Sequence, residues 1–208
     1  MKQQLKNQKI VCFGDSITET ARTRNIYYPG GSGYFNIIKS KVETFYIDYN
    51  VEMINKGIGG NKTGDLVNRL ERDVLAEKPD VVTMLIGIND LWHPYDAGDV
   101  IDFDQIEKNY RYLVETIRSN NIRLVVMTPF LFPTNNHFVG LMDSFYKLLS
   151  IIRSLIKEYN LEHIDLYPIL QKYAEIGGNA SITKDGVHPT QLGHGIIAHE
   201  LDKYFWLG

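Results

Sequence analysis

The chain contains, in two short polar segments far apart in the sequence, the three residue types that carry out acyl transfer. Ser16 follows Gly14-Asp15 near the amino terminus, and Asp185 and His188 lie three residues apart near the other end. A serine hydroxyl is a weak nucleophile and needs a base within hydrogen-bond reach, which an imidazole can supply. A carboxylate three residues earlier can turn back onto Nδ1 and leave Nε2 facing the hydroxyl. We therefore expect Ser16 as nucleophile, His188 as base and Asp185 as the group that orients the base.

The oxyanion formed in such a reaction needs hydrogen-bond donors that are already in place, about 2.7–3.1 Å away. Two more polar segments, 55–61 and 87–90, contain suitable groups. We predict three donors, namely the backbone N–H groups of Ser16 and Gly60 and the side-chain amide of Asn89. Glycine at position 60 lets the backbone approach a substrate closely and adopt an unusual dihedral angle.

Each of these residues also has an ordinary explanation when it is taken alone. A serine after a strand is commonly a helix cap, and an asparagine in a loop commonly forms a turn. The catalytic interpretation rests on their joint occurrence, because every polar segment comes at the same end of a separate strand or helix unit.

Segments of strand length alternate with segments of helical periodicity along the whole chain. The strand segments are 10–13, 51–54, 81–86, 122–127 and a weaker 162–165. Several are too uniformly apolar for a sheet with one solvated face, so we expect burial on both faces. The apolar residues at helical spacing are Leu66, Leu70 and Val74; Ile106, Tyr110, Leu113 and Ile117; Leu141, Phe145, Leu148, Ile152, Leu155 and Tyr159; and Leu192, Ile196, Ile197 and Leu201.

This alternation predicts an α/β protein with a parallel sheet, right-handed crossovers and helices on both faces. Five strands favour a flavodoxin-like order, 2-1-3-4-5, without fixing it. Ligands of such sheets bind outside the carboxyl ends of the strands. The polar segments after the first three strands, and the loop around Asp185 and His188, are therefore expected to meet at one rim.

The same four segments resemble the sequence blocks of the SGNH/GDSL hydrolases. The serine block matches Gly14-Asp15-Ser16, the glycine block Gly60, the asparagine block 87–90 and the aspartate–histidine block 185–188. The resemblance extends from about residue 9 to residue 205, with the blocks in the family's order and spacing. It implies one three-layer α/β/α domain over residues 1–208 and a serine esterase mechanism without metal or cofactor. The triad and the oxyanion donors it implies are the residues named above.

Within that family, the chain looks most similar to the intracellular acetylxylan esterases and related carbohydrate deacetylases. The similar stretches are 14–18, 55–58, 86–92 and 127–130. The predicted substrate is a small-molecule or oligosaccharide ester, contacted by Asp15, Trp92 and Phe130. The Trp92 indole could restrict the acyl site to acetate, and Trp92, Tyr95, Phe130 and Phe132 could form an aromatic rim for a sugar ring. Alternatively, these aromatic residues only pack loops onto the sheet.

Three alternative functions have to be compared with this one, namely a different acylhydrolase and two kinds of binding protein. A lysophospholipase or thioesterase would need an apolar channel, which the apolar residues of segment 130–140 could form. A nucleotide- or flavin-binding module would explain Gly57-Ile58-Gly59, but Lys62 occupies the position of the third glycine of that fingerprint. A sugar-binding protein without catalysis would give no reason for a complete set of Ser, Asp and His.

Composition excludes several other classes of protein. With 22 Lys+Arg, 25 Asp+Glu and a formal net charge of −3, the chain lacks the basic excess typical of nucleic-acid binding. The longest apolar run, 81–88, is far shorter than the roughly 20 residues of a membrane helix. The apolar stretch at 10–13 is likewise shorter than the core of a signal peptide, about 7–15 residues.

The cysteine and histidine content indicates a reducing compartment and no metal site. The single Cys12 cannot form an internal disulfide and is expected in the core, so we predict a cytoplasmic location. His194 and His199 follow His188 at spacings of six and five residues, which do not align on one helical face as metal ligands do. The sequence leaves the oligomeric state open, so the chain could also form a homo-oligomer.

Overall fold

The computed structural model describes residues 6–22 and 30–205. Within them, a five-stranded parallel sheet has the order β2-β1-β3-β4-β5. Its strands are β1 Lys9–Gly14, β2 Glu52–Gly57, β3 Val81–Leu85, β4 Arg123–Met127 and β5 Glu162–Ile164. Every predicted strand overlaps an observed one, and the flavodoxin-like order is confirmed.

Helices cover the sheet in two groups. In one group α2 packs against α9; in the other, α3 packs against α5 and α5 against α6. Right-handed crossovers place such groups on opposite faces, which gives the expected α/β/α layers. The helices are α1 Ser16–Glu19, α2 Tyr34–Phe45, α3 Thr63–Asp73, α4 Ile88–Ala97, α5 Phe103–Ser119, α6 Met142–Glu158, α7 Leu166–Gly177, α8 Asn179–Ile182 and α9 Gln191–Phe205.

Burial of the strands follows their place in the sheet. The three inner strands, β1, β3 and β4, are buried along almost their whole length. The outer strand β2 alternates between buried and more exposed residues, and the first two residues of β5 are exposed. Burial on both faces is thus confirmed for the inner strands, whereas the two edge strands have neighbours on one side only.

The helix predictions need two corrections. Leu192 is half exposed, so the buried face of α9 is formed instead by residues such as His194, Ile197 and Leu201. Among the longer helices α2, α4 and α7 were not predicted, and of these α4 and α7 each contain a proline, at Pro94 and Pro168. Pro168 lies in the first turn of α7, where a missing backbone N–H costs no intrahelical hydrogen bond.

None of the described helices combines the length and the apolar character that a membrane span requires.

Candidate active site

The nucleophile candidate Ser16 begins α1 at the carboxyl end of the buried strand β1. Asp15 caps this short helix, because its Oδ1 accepts the backbone N–H of Ile17 at 2.9 Å. Glycine is required at position 14, where a Cβ atom would lie 2.4 Å from the carbonyl oxygen of Leu85 on β3. Ser16 therefore lies at the carboxyl ends of the neighbouring strands β1 and β3, where their backbones are in close contact.

The structure brings Ser16, His188 and Asp185 into one hydrogen-bonded line. Ser16 Oγ lies 3.0 Å from His188 Nε2, and His188 Nδ1 lies 2.6 Å from Asp185 Oδ2. The other carboxylate oxygen of Asp185 accepts the backbone N–H groups of Val187 and His188 at 2.9 and 2.8 Å. Gly186 adopts a φ of 112°, the left-handed conformation that this turn needs and that glycine adopts without strain.

This arrangement sets the charges of the base and of its carboxylate. The hydrogen bond that His188 donates to Asp185 raises the pKa of His188, and this outweighs the opposing effect of burial. Partial burial tends to raise the pKa of Asp185, but hydrogen bonds from the His188 side chain and from the loop backbone lower it overall. Asp185 thus remains ionised and favours the protonated form of the His188 imidazole.

Besides Ser16 itself, the predicted oxyanion donors are Gly60 and Asn89, which lie on the segments after β2 and β3. Gly60 has a φ of 79°, as expected for a glycine-dependent turn. In the same turn, a Cβ at Gly59 would lie 3.7 Å from the Cβ of Ser16, so this backbone passes beside the nucleophile. Asn89 is buried in the first turn of α4, directly after β3, and its Nδ2 donates to the carbonyl oxygen of Asn61 at 3.0 Å.

Asp90 ties this asparagine segment to α3. Its carboxylate accepts the backbone N–H of Thr63 at 2.9 Å and the Thr63 hydroxyl at 2.6 Å. Burial raises the pKa of Asp90 to about 6, against the effect of these hydrogen bonds. The Thr63 hydroxyl also accepts a hydrogen bond from Asn109 on α5.

A cavity of about 430 Å³ opens beside the triad. Its lining residues, apart from the triad, include Glu19, Thr20, Gly59, Lys184, Pro189 and His194. This lining combines apolar surface with polar side chains and with charges of both signs, on Glu19 and Lys184. The Glu19 carboxylate accepts the backbone N–H of Gly59 at 2.9 Å.

Of the predicted substrate contacts, only Trp92 has a position compatible with that role. Its ring centroid lies 5.7 Å from that of His188, and it packs edge-on against Phe138 at 4.9 Å. Phe130 has no exposed surface and Phe132 only 4%, so both belong to the core, and the predicted aromatic rim is wrong for them. Tyr95 is partly exposed, and its hydroxyl donates to the carbonyl oxygen of His137.

Asp15 is also misplaced as a substrate contact. It is 1% exposed, and its structural task is to cap α1. Burial raises its pKa to about 7. The residue can influence the site through the charge of its carboxylate, since that charge interacts with His188, but it does not reach the cavity surface.

Sequence reasoning missed the buried Arg69 on α3, whose side chain makes three hydrogen bonds to two of the site segments, at Gly14 and at 55–61. The signal was present, because Arg69 lies between Leu66 and Leu70 on the apolar stripe of that helix. A charged residue on such a stripe is rarely buried unless it is paired, and Asp73 follows one turn later.

Comparison with known proteins agrees with this geometry. Residues 12–196 match the GDSL-like lipase/acylhydrolase family. The chain belongs to this family. Its fold and its chemistry are accordingly those of a carboxylic ester hydrolase.

Two relatives extend the comparison. An acetylxylan esterase of Geobacillus stearothermophilus is 30% identical over 201 residues, which cover 92% of this chain and 90% of that protein. The uncharacterized lipoprotein YqeF of Bacillus subtilis is 29% identical over 121 residues, 58% of this chain and 48% of the lipoprotein.

Solved structures of Axe2, an acetylxylan esterase from Geobacillus stearothermophilus, have the same fold. One superimposes with a TM-score of 0.88 at 28% identity and covers 99% of this GDSL-family chain and 97% of its own. Three catalytic mutants of Axe2, with a serine, an aspartate or a histidine replaced by alanine, match with the same TM-score. The replaced aspartate and histidine of Axe2 are three positions apart.

Proposed function

We propose that this single-domain chain, residues 1–208, is a serine esterase that removes acetyl groups from sugars such as acetylated xylo-oligosaccharides. The observation that carries the proposal is the line from Ser16 Oγ through the His188 imidazole to Asp185, with contacts of 3.0 and 2.6 Å. The Axe2 catalytic mutants support the assignment, because the same three residue types were replaced there and the spacing of aspartate and histidine is the same.

The first half of the reaction acylates Ser16. The hydroxyl proton passes to His188 Nε2 while Oγ attacks the ester carbonyl carbon, and the carbonyl π electrons move onto oxygen. The backbone N–H groups of Ser16 and Gly60 and the amide of Asn89 stabilise that oxyanion. When it collapses, the bond to the sugar oxygen breaks, and this oxygen takes the proton from His188 as it leaves.

The second half releases the acid. Water loses a proton to His188 Nε2 and attacks the acyl carbon, which forms a second oxyanion in the same position. Its collapse breaks the bond to Ser16 Oγ, which regains its proton from His188. Acetate leaves, and the enzyme returns to its starting state without any redox step.

The site favours a short acyl group over a long one. Segment 130–140 was the candidate for an acyl channel, but Phe130, Leu131, Phe132 and Phe138 are at most 4% exposed. Val139 of the same segment is exposed. Leu131 and Phe132 line a cavity of about 200 Å³, but none of Ser16, Asp185 and His188 lines it, so it provides no acyl channel at Ser16. Trp92 beside His188 further restricts the space at the reacting centre.

The decisive experiment measures acetate release from acetylated xylo-oligosaccharides and acetylated monosaccharides, with Ser16→Ala as the blank. Parallel rates with 4-nitrophenyl acetate and 4-nitrophenyl octanoate separate the two acyl classes. We expect Ser16-dependent acetate release and a preference for the acetyl ester. A clear preference for octanoate would instead assign the enzyme to the longer-chain acylhydrolases.

We also propose that the enzyme works in the cytoplasm. The chain has one cysteine, and Cys12 is fully buried, which fits a compartment where thiols remain reduced. The similarity to the lipoprotein YqeF gives the alternative of attachment to the cell envelope. Fractionation of cells that express the natural gene, followed by detection with an antibody, distinguishes these locations.

A further inference from the structure

Arg69 lies behind the candidate oxyanion hole and joins the backbone segments that form it. Its Nη2 donates to the carbonyl oxygen of Gly14 at 2.8 Å, and its Nη1 donates to that of Lys56 at 2.8 Å. Its Nε donates to Oδ1 of Asn61 at 2.7 Å. One guanidinium therefore holds the end of β1, the end of β2 and the loop after β2 at fixed distances from each other.

Two of these contacts lie one or two residues from an oxyanion donor. Gly14 is two residues before Ser16, and Asn61 is the residue after Gly60. The carbonyl oxygen of Asn61 also accepts the Nδ2 amide of Asn89 at 3.0 Å, which fixes the orientation of the third donor. The contact with Gly14 is thus two residues from the Ser16 donor. The contact with Asn61 is next to the Gly60 donor, and Asn61 also holds the Asn89 donor by a hydrogen bond.

The surroundings of Arg69 keep its charge in place. Arg69 is 6% exposed, and its Nη1 pairs with Asp73 Oδ2 at 2.8 Å. The guanidinium carbon lies 4.4 Å from the centre of the Phe13 ring, within the range of cation–π contacts. A buried ion pair of this kind contributes little net stability compared with apolar residues of similar volume. Its planar fork, however, can address several carbonyl oxygens at once, which a lysine ammonium does not reproduce.

We propose that Arg69 is a positioning residue for catalysis, which acts through Gly14, Lys56 and Asn61 to place the oxyanion donors. This inference rests on the proposed function, because the donors have a catalytic task only if the site forms an oxyanion. Arg69 is buried, and four of its five N–H groups already donate to groups of the protein, so we assign it no contact with the substrate.

A double-mutant cycle with Asn89 tests the proposal. We would measure kcat and KM for 4-nitrophenyl acetate in Arg69→Met, Asn89→Ala and the double variant, with unfolding midpoints for each. If Arg69 acts through the oxyanion hole, Arg69→Met lowers kcat by about the 10²–10³ typical of a lost donor, with little change in KM. In the Asn89→Ala background the same change costs less, because one of the three donors that Arg69 positions is already absent.

Two further variants keep the test decisive even if Arg69→Met does not fold. Asn61→Ala removes one acceptor of Arg69 but retains the carbonyl that holds Asn89, so we expect a smaller kcat loss that is again non-additive with Asn89→Ala. Arg69→Lys should not restore kcat. Lys41→Met is the matched control, because it removes a comparable ion pair, with the buried Asp202, between α2 and α9.

The outcomes separate this inference from the proposed function. Arg69 has a purely structural role if the kcat losses of Asn89→Ala and of Arg69→Met or Asn61→Ala multiply fully in the double variant. The same conclusion follows if Lys41→Met lowers kcat as much as Arg69→Met does at equal destabilisation. Those results would leave the esterase assignment intact if Ser16 is still required. An unmodified enzyme without Ser16-dependent esterase activity would overturn both proposals.

Discussion

The Asp185 carboxylate binds His188 twice, once through the imidazole and once through the backbone. Oδ2 lies 2.6 Å from Nδ1, and Oδ1 accepts the backbone N–H of the same residue at 2.8 Å. One carboxylate thus sets the conformation of the loop, the tautomer of the ring and the proton affinity of the base.

Asp185→Asn separates these tasks, because asparagine keeps an oxygen for the two backbone N–H groups but loses the charge. We expect kcat to fall by about 10⁴, the loss known for an orienting aspartate of a triad. The acidic limb of the profile of kcat/KM against pH should move to lower pH, because the carboxylate that raises the pKa of His188 is gone. An unchanged limb would contradict the role of Asp185. Asp185→Ala, which also releases the loop, serves as comparison.

Ser16→Ala and His188→Ala should each reduce acetate release by several orders of magnitude, since triad members act as a unit. Both side chains lie at the cavity, so the unfolding midpoints should remain close to that of the unmodified protein. The exposed Ser154→Ala and His163→Ala are controls that should retain full activity. Substantial turnover in either triad variant would show that another residue is the nucleophile or the base.

Asn89→Ala should reduce kcat by about 10²–10³, the typical cost of one oxyanion donor. Asn89→Asp has nearly the same size but presents an acceptor to the oxyanion, so its activity should be at least as low. Steady-state kinetics with 4-nitrophenyl acetate measure both. A loss smaller than tenfold in both variants would mean that Asn89 only shapes the first turn of α4.

The strands and the positions of Ser16 and Asn89 at their carboxyl ends could be predicted from the sequence because the signals are local. Buried β-strands are continuous apolar runs, and residues directly after them must lie at one rim, so Ser16 and Asn89 followed from position alone. The contacts of Arg69 could not be predicted, since its acceptors belong to distant segments and two of them are backbone carbonyls. Phe130 was misassigned for a related reason: an aromatic residue after a strand has the same sequence signal whether it faces the cavity or the core.

Lys184→Met should shift the pH dependence in the opposite direction to Asp185→Asn. The Lys184 ammonium lines the cavity and lowers the pKa of His188, an effect smaller than those of Asp185 and of burial. Its removal should raise that pKa and move the acidic limb of kcat/KM to higher pH. Lys172→Met, an exposed lysine on α7, should leave the limb in place.

Asp15 allows a prediction that joins stability to catalysis. Its Oδ1 caps α1, whereas its Oδ2 is buried and has no hydrogen-bond partner within the described part of the chain. Burial raises its pKa from 3.8 to about 7, so the folded state holds this proton more tightly than the unfolded state does. The stability contributed by protonation is therefore complete below the ordinary pKa and is lost as pH rises through about 7.

Asp15→Asn keeps an oxygen for the cap and removes the ionisation. Relative to the unmodified protein, its free energy of unfolding should increase as the pH rises from 3.8 to about 7 and then level off, at no more than about 1.4 kcal/mol per pH unit for one proton. Urea titrations at several pH values measure this difference, and a difference that is constant with pH would contradict the raised pKa.

The acidic limb of kcat/KM should also move to lower pH in Asp15→Asn. The ionised carboxylate of Asp15 raises the pKa of His188, although less than Asp185 does. Asp15→Ala loses the cap as well, so it should be less stable than Asp15→Asn at every pH, by about 1 kcal/mol for a lost helix cap.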